Sequence, residues 1–146
     1  MEVEKSIKQL YENRLIRSDE EFELFENSIA NLSCNVVLED IPKLCLAFDD
    51  DTQERDVMFG LVHLIEQFEG EKSVECTIQG ILKMSNRAND WALILIKRIL
   101  NSDVDREHFK VVYGRLDGDS KSKVANLLSA VVGDNPNRKS SPILGI

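Results

Sequence analysis

Three observations predict an all-α protein. Apolar residues recur at three- and four-residue spacing along almost the whole chain, the spacing that lines one face of a helix. No segment alternates apolar and polar residues over any convincing length, so no strand is expected. Helix-starting and helix-stopping residues fall between the periodic stretches and divide the chain into about eight helices of roughly 10–17 residues. Such helices are expected to stack as antiparallel hairpins, either into an α-solenoid of the HEAT kind or into an irregular bundle. No recurring residue signature marks a repeat unit.

In the first helix Val3, Ile7, Leu10 and Tyr11 share a stripe that Leu15 extends. Ser18 opens the second, with Glu21 at capping-box spacing and Asp19 and Glu20 bringing negative charge to its first turn. Phe22, Phe25, Ile29 and Leu32 form its expected buried face, and the two helices make a hairpin. The segment from Asn35 to Phe48 is less regular. Pro42 is tolerated in a first helical turn, which places a helix start near Asp40 with Ile41, Leu44, Cys45 and Phe48 inward.

Asp49, Asp50, Asp51 and Thr52 break that helix, and a long one is expected from Gln53 to Glu69. Its wide apolar arc, from Val57 and Met58 to Phe68, suits a central position. Gly70 then stops it, and Ser73 is the expected cap of a helix over 74–84. Asn89 or Asp90 caps the next, to Leu100, with Trp91, Leu95 and Ile99 on its stripe. Asp103 opens 104–116, carrying Phe109, Val112, Tyr113 and Leu116. Asp119 or Ser120 opens the last helix, with Val124, Leu127, Leu128 and Val131 inward and Gly133 as its stop. Residues 1–133 therefore read as one helical domain and 134–146 as a loop-like tail with an apolar end. Gly60 and Gly80 sit mid-helix, where glycine costs about 1 kcal/mol relative to alanine. Close approach of their two helices to each other would offset that cost.

The 146 residues are 42% apolar and 30% charged, enough to bury a core. No apolar run is long enough to span a membrane, and Met1 to Lys5 lack the basic start and apolar stretch of a signal peptide. Three widely spaced cysteines, Cys34, Cys45 and Cys76, suit reduced thiols and a cytoplasmic setting, each lying in or just before an apolar stripe. Charge is uneven. Residues 1–75 hold 19 acidic and 7 basic side chains, a net of −12; residues 76–146 hold 7 and 11, a net of +4, which together give the −8 of the chain. The acidic half repels phosphate backbones, so direct nucleic-acid binding is not expected, and it attracts a basic partner. The same charge also serves simply to keep a protein soluble.

Asp49, Asp50 and Asp51, with Glu54 and Asp56 behind them, form the densest acidic cluster. The cluster fails the EF-hand pattern, because from Asp49 the sixth position is Glu54 rather than glycine and the twelfth is Gly60 rather than glutamate. A capping-rich helix start is one reading, and an interface that covers a basic cleft is the other. His63 and Glu66 share a helix face but reverse the Glu-then-His order of di-metal bundles. Trp91 reads as a core residue or as an interface anchor. No phosphate loop, nucleophile elbow, zinc spacing or dinucleotide fingerprint occurs, so neither an enzyme nor a cofactor or metal is expected.

The stretches Asp40–Thr52 and Val57–Phe68, joined by Ala88–Ala92 and Arg98–Asn101, resemble the immunity protein 30 family of bacterial polymorphic-toxin systems. The resemblance covers about the central half of the chain; residues 1–35 and 117–146 carry none of it. It implies a small cytoplasmic protein that binds the C-terminal domain of one cognate secreted toxin, one to one, as in contact-dependent growth inhibition, where many toxins are nucleases. It transfers no interface residues. Charge places the contact at Asp49, Asp50, Asp51, Glu54 and Asp56, with Glu66 and Glu69 behind them. The alternative is a helical-repeat adaptor that binds a host protein or peptide.

Overall fold

A computed structural model describes residues 2–84 and 86–134, with side chains to Val131. The described residues form eight α-helices, one 3₁₀ turn and no strand, so the fold is all-α. The helices are α1 (Glu2–Glu12), α2 (Asp19–Ser33), α3 (Ile41–Cys45), α4 (Arg55–Glu66), α5 (Glu71–Met84), α6 (Asn89–Leu100), α7 (Asp103–Gly114) and α8 (Gly118–Asp134). The expected tail lies outside the described residues apart from Asp134, which belongs to α8, so Gly133 does not stop that helix.

Helices α1 and α2 form the expected hairpin, tied where the Gln9 amide donates to the Leu24 carbonyl and to Ser28 Oγ. Beyond it, packing joins helices two apart in the chain, α2 with α4, α3 with α5, α5 with α7 and α6 with α8, and also the consecutive helices α5, α6 and α7. Helices α2, α4 and α6 run parallel. Phe22 meets Gln53 and Glu54 while Ile29 meets Gly60. Arg55 covers Trp91 while Glu66 pairs with Arg98. One core runs through the stack, with Leu10, Phe25, Leu44, Met58, Ile81, Trp91 and Phe109 wholly buried.

Several starts and faces differ from the expectation, each for a physical reason. Ser18 accepts from Glu21 N–H at 3.2 Å as expected, but Glu21 reaches back to the N–H of Arg17 rather than Ser18. Phe22 is not buried; it is 39% exposed, and Ser28 takes the interior position facing Gln9. Ser73 is no cap. Gly70, at φ +101°, turns the chain so that α5 begins at Glu71, and the Ser73 hydroxyl lies buried, donating to the Phe68 carbonyl. Helix α4 spans fewer turns than expected at both ends. Ser102 caps α7 by accepting from Asp105 N–H. The last helix is opened two residues before the earlier of its expected starts, by Asp117, whose carboxylate accepts from both the N–H and the hydroxyl of Ser120.

The two mid-helix glycines do not bring α4 and α5 together. A Cβ on Gly80 would overlap Cys45 Sγ and lie 3.3 Å from Pro42 Cα, so the close approach is between α5 and α3. A Cβ on Gly60 would meet only Ile29, at an ordinary 4.0 Å. Burial against Gly80 also pushes the Cys45 thiol up to about 12, an inert state. Cys76 is buried as well, whereas Cys34, although it adjoins an apolar stripe, is exposed.

Candidate functional site

The acidic cluster folds into a hub that ties four parts of the chain together. Asp49 is 5% exposed, so its carboxylate must find partners inside the protein. One oxygen accepts from Arg14 Nε at 3.0 Å and the other from Asp51 N–H at 2.9 Å. The Asp49 carbonyl accepts from the indole of Trp91 at 3.2 Å. Asp50 bridges to the sixth helix: its N–H donates to the Arg87 carbonyl, and its carboxylate accepts from Asp90 N–H. The start of α6 therefore follows Ala88, with no side-chain cap of its own; neither Asn89 nor Asp90 does that work, and Asp50 supplies the acceptor from 40 residues away.

Aromatic and cationic groups close the hub on both sides. Trp91 is fully buried, stacked on Phe48 at 5.4 Å, edge-on to Phe59 at 5.1 Å, and covered by the Arg55 guanidinium at 4.7 Å. Of its two readings, core residue is the one observed. On the other side Arg14 lies over the Tyr11 ring at 4.0 Å while Arg87 donates to its hydroxyl. That hydrogen bond, with the Arg14 charge, holds the Tyr11 phenol below its ordinary value. The turn entering α2 is fixed by Gln53 N–H donating to the Leu15 carbonyl. Next to it Ile16 sits at φ +47°, a conformation a β-branched residue adopts only when its surroundings impose it.

The expected contact residues therefore divide into three groups. Asp49 is buried and Asp50 half-buried, and both carboxylates are used within the fold. Asp51, Glu54 and Asp56 are exposed around the start of α4. Of these, Glu54 adjoins Phe22, Asp19 and Arg17 across a shallow depression of about 280 Å³. Glu66 and Glu69, also exposed, lie at the far end of α4, roughly 18 Å away at 1.5 Å per residue. Glu66 is held there by a two-pronged pair with Arg98, so the His63 and Glu66 combination has no free carboxylate to offer a metal. Among the described residues no three His, Cys, Asp or Glu side chains converge on a metal position.

A family model described as immunity protein 30 matches residues 12–109, about two thirds of the chain. The chain belongs to the immunity protein 30 family. The match reaches further toward the N-terminus than the resemblance seen in the central segments, taking in Arg14 and all of α2. The whole hub of Arg14, Asp49, Asp50, Arg87 and Trp91 falls inside the immunity protein 30 region. Comparison with curated proteins and with solved structures finds no match. No helix among the described residues is long and apolar enough to cross a membrane.

Proposed function

We propose that this chain binds and neutralises the C-terminal toxin domain of one secreted protein encoded beside it. The complex is one to one and forms in the cytoplasm; the toxin is a nuclease, and the chain itself catalyses nothing. Membership of the immunity protein 30 family carries this reading. The nuclease assignment draws on charge: a net −8, concentrated in the N-terminal half, complements the basic groove with which a nuclease holds phosphates. Asp51, Glu54 and Asp56 are the leading contacts because they are exposed and spend no carboxylate on the hub. Glu66 and Glu69 extend the acidic surface from the other end of α4, and Asp49 and Asp50 hold the loop in place.

Co-expression with the C-terminal domain of the large gene immediately upstream tests the function. Restored growth and a stoichiometric complex that weakens as salt rises are expected. Rescue that is insensitive to salt would keep the immunity function and remove the acidic contact. Neither rescue nor binding would favour the adaptor.

A further inference from the structure

At the C-terminal end of α4, the starts of α5 and α7 and the end of α6 enclose a groove. Its inner part, about 190 Å³, is walled by Ile65, Phe68, Val74, Leu95 and Ile99. The three hydroxyls that line it all have partners within the fold: Ser73 donates to the Phe68 carbonyl, Thr77 donates to the Ser73 carbonyl, and Ser102 accepts from Asp105 N–H. The outer part, about 620 Å³, shares Glu66, Phe68, Ser102 and Asp105 with the inner one and adds Glu69, Val104 and His108.

Charge around this groove is one-sided. Arg98 is bonded to Glu66, Arg106 to Asp103 and the Leu100 carbonyl, Lys110 to Glu107, and Arg115 to Glu71. Glu69 and Asp105 have no ion-pair partner among the described residues. A mixed slot, with Ile65 and Phe68 on its wall and the carboxylates of Glu69 and Asp105 at its outer part, matches a side chain with an aliphatic stem and a cationic head. Beside it α7 carries an apolar shoulder. Val104 is 67% exposed and Val111 is 48% exposed, one face of the helix at i and i+7.

We infer that this groove is an anchor pocket for a lysine or arginine of the cognate toxin. The stem of that residue lies along Phe68 and Ile65, its head reaches Glu69 and Asp105, and an apolar neighbour rests on Val104 and Val111. This rests on the immunity reading above and adds a second contact, remote from Asp51, Glu54 and Asp56.

The test measures affinity for the toxin domain encoded upstream, by calorimetry at one salt concentration. The wild-type chain is compared with E69R/D105R, with V104S, and with E2R/E4R, which changes net charge equally on α1. Binding about tenfold weaker or more is expected for the groove pair and about threefold weaker for V104S, with E2R/E4R below both. Thermal melts check that each variant is folded; should E69R/D105R fail to fold, the exposed positions are tested singly as E69Q and V104S. A groove pair no weaker than E2R/E4R, with tight wild-type binding, overturns the anchor pocket and leaves the immunity function intact. No wild-type binding or rescue overturns both.

Discussion

Asp49 and Asp51 are two residues apart and chemically identical, yet the fold uses them in opposite ways. Asp49 holds Arg14, the Asp51 amide and, through its carbonyl, Trp91; Asp51 faces solvent. Asp49→Ala leaves the part-buried Arg14 guanidinium and the Asp51 amide without their acceptor and is expected to cost about 3 kcal/mol. Asp51→Ala is expected within about 0.5 kcal/mol of wild type. Urea unfolding of the two variants checks the contrast. The sequence marked this run as the densest acidity in the chain but carried no sign of which carboxylate turned inward. That depends on Arg14, 35 residues earlier, and Trp91, 42 residues later, and no local spacing encodes such partners. Two carboxylates at helix starts, Glu21 and Asp117, supply a pH signature. Arg17 holds Glu21 below the ordinary carboxylate range, and the Ser120 N–H does the same for Asp117. Both ionise more readily when folded than unfolded, so their contribution is present above the usual carboxylate pKa and disappears as the pH falls through the depressed folded values. Asp117→Asn should therefore lower the melting temperature at neutral pH, and the difference from wild type should shrink as the pH falls through the depressed folded value.

Helix ends and helix packing differ in how much of them can be read locally. The Ser18 and Glu21 signal found α2, and Pro42 with its apolar neighbours found α3, because caps and first turns are decided within a few residues. The start of α6 could not be found this way, since its acceptor arrives from Asp50. Nor could the partner of Gly80. A glycine inside a helix announces close approach, but the element that approaches is chosen by the stacking of alternate helices. The two glycines give opposite expectations. Gly80→Ala drives a methyl into Cys45 and the α3 backbone and should destabilise by about 2 kcal/mol, despite alanine's better helix propensity. Gly60→Ala meets Ile29 at van der Waals distance and should stabilise by up to about 1 kcal/mol. Thermal or denaturant unfolding of both variants reads the difference in sign.

Across the whole molecule, α2 packs on α4 and α4 reaches α6 through Arg55 on Trp91 and Glu66 on Arg98, so carboxylates distant in sequence, such as Asp19 and Glu54, meet at one depression. The all-α class was legible because helical periodicity is a property of every segment. The division of the acidic residues between hub, open face and groove was not, because it follows from how the layers meet. A surface this charged acts first on encounter with a basic partner. Association of the toxin domain should slow by about tenfold or more between low and physiological salt, while the dissociation rate changes less. Reversing Asp51, Glu54 and Asp56 together should remove most of that salt dependence. Stopped-flow binding at several ionic strengths measures both.

The placement of Trp91 gives the protein a built-in optical gauge. It is the sole tryptophan of the chain, and its indole is bonded to the Asp49 carbonyl under the Arg55 guanidinium. Its emission therefore reports on the loop that carries Asp51 and on the first residue of α4, without a label. A partner that grips the start of α4 must disturb Arg55 or the loop and shift that emission. A partner held only at the far groove leaves it dark to the event, so the colour and intensity of one residue tell which end of α4 has been taken.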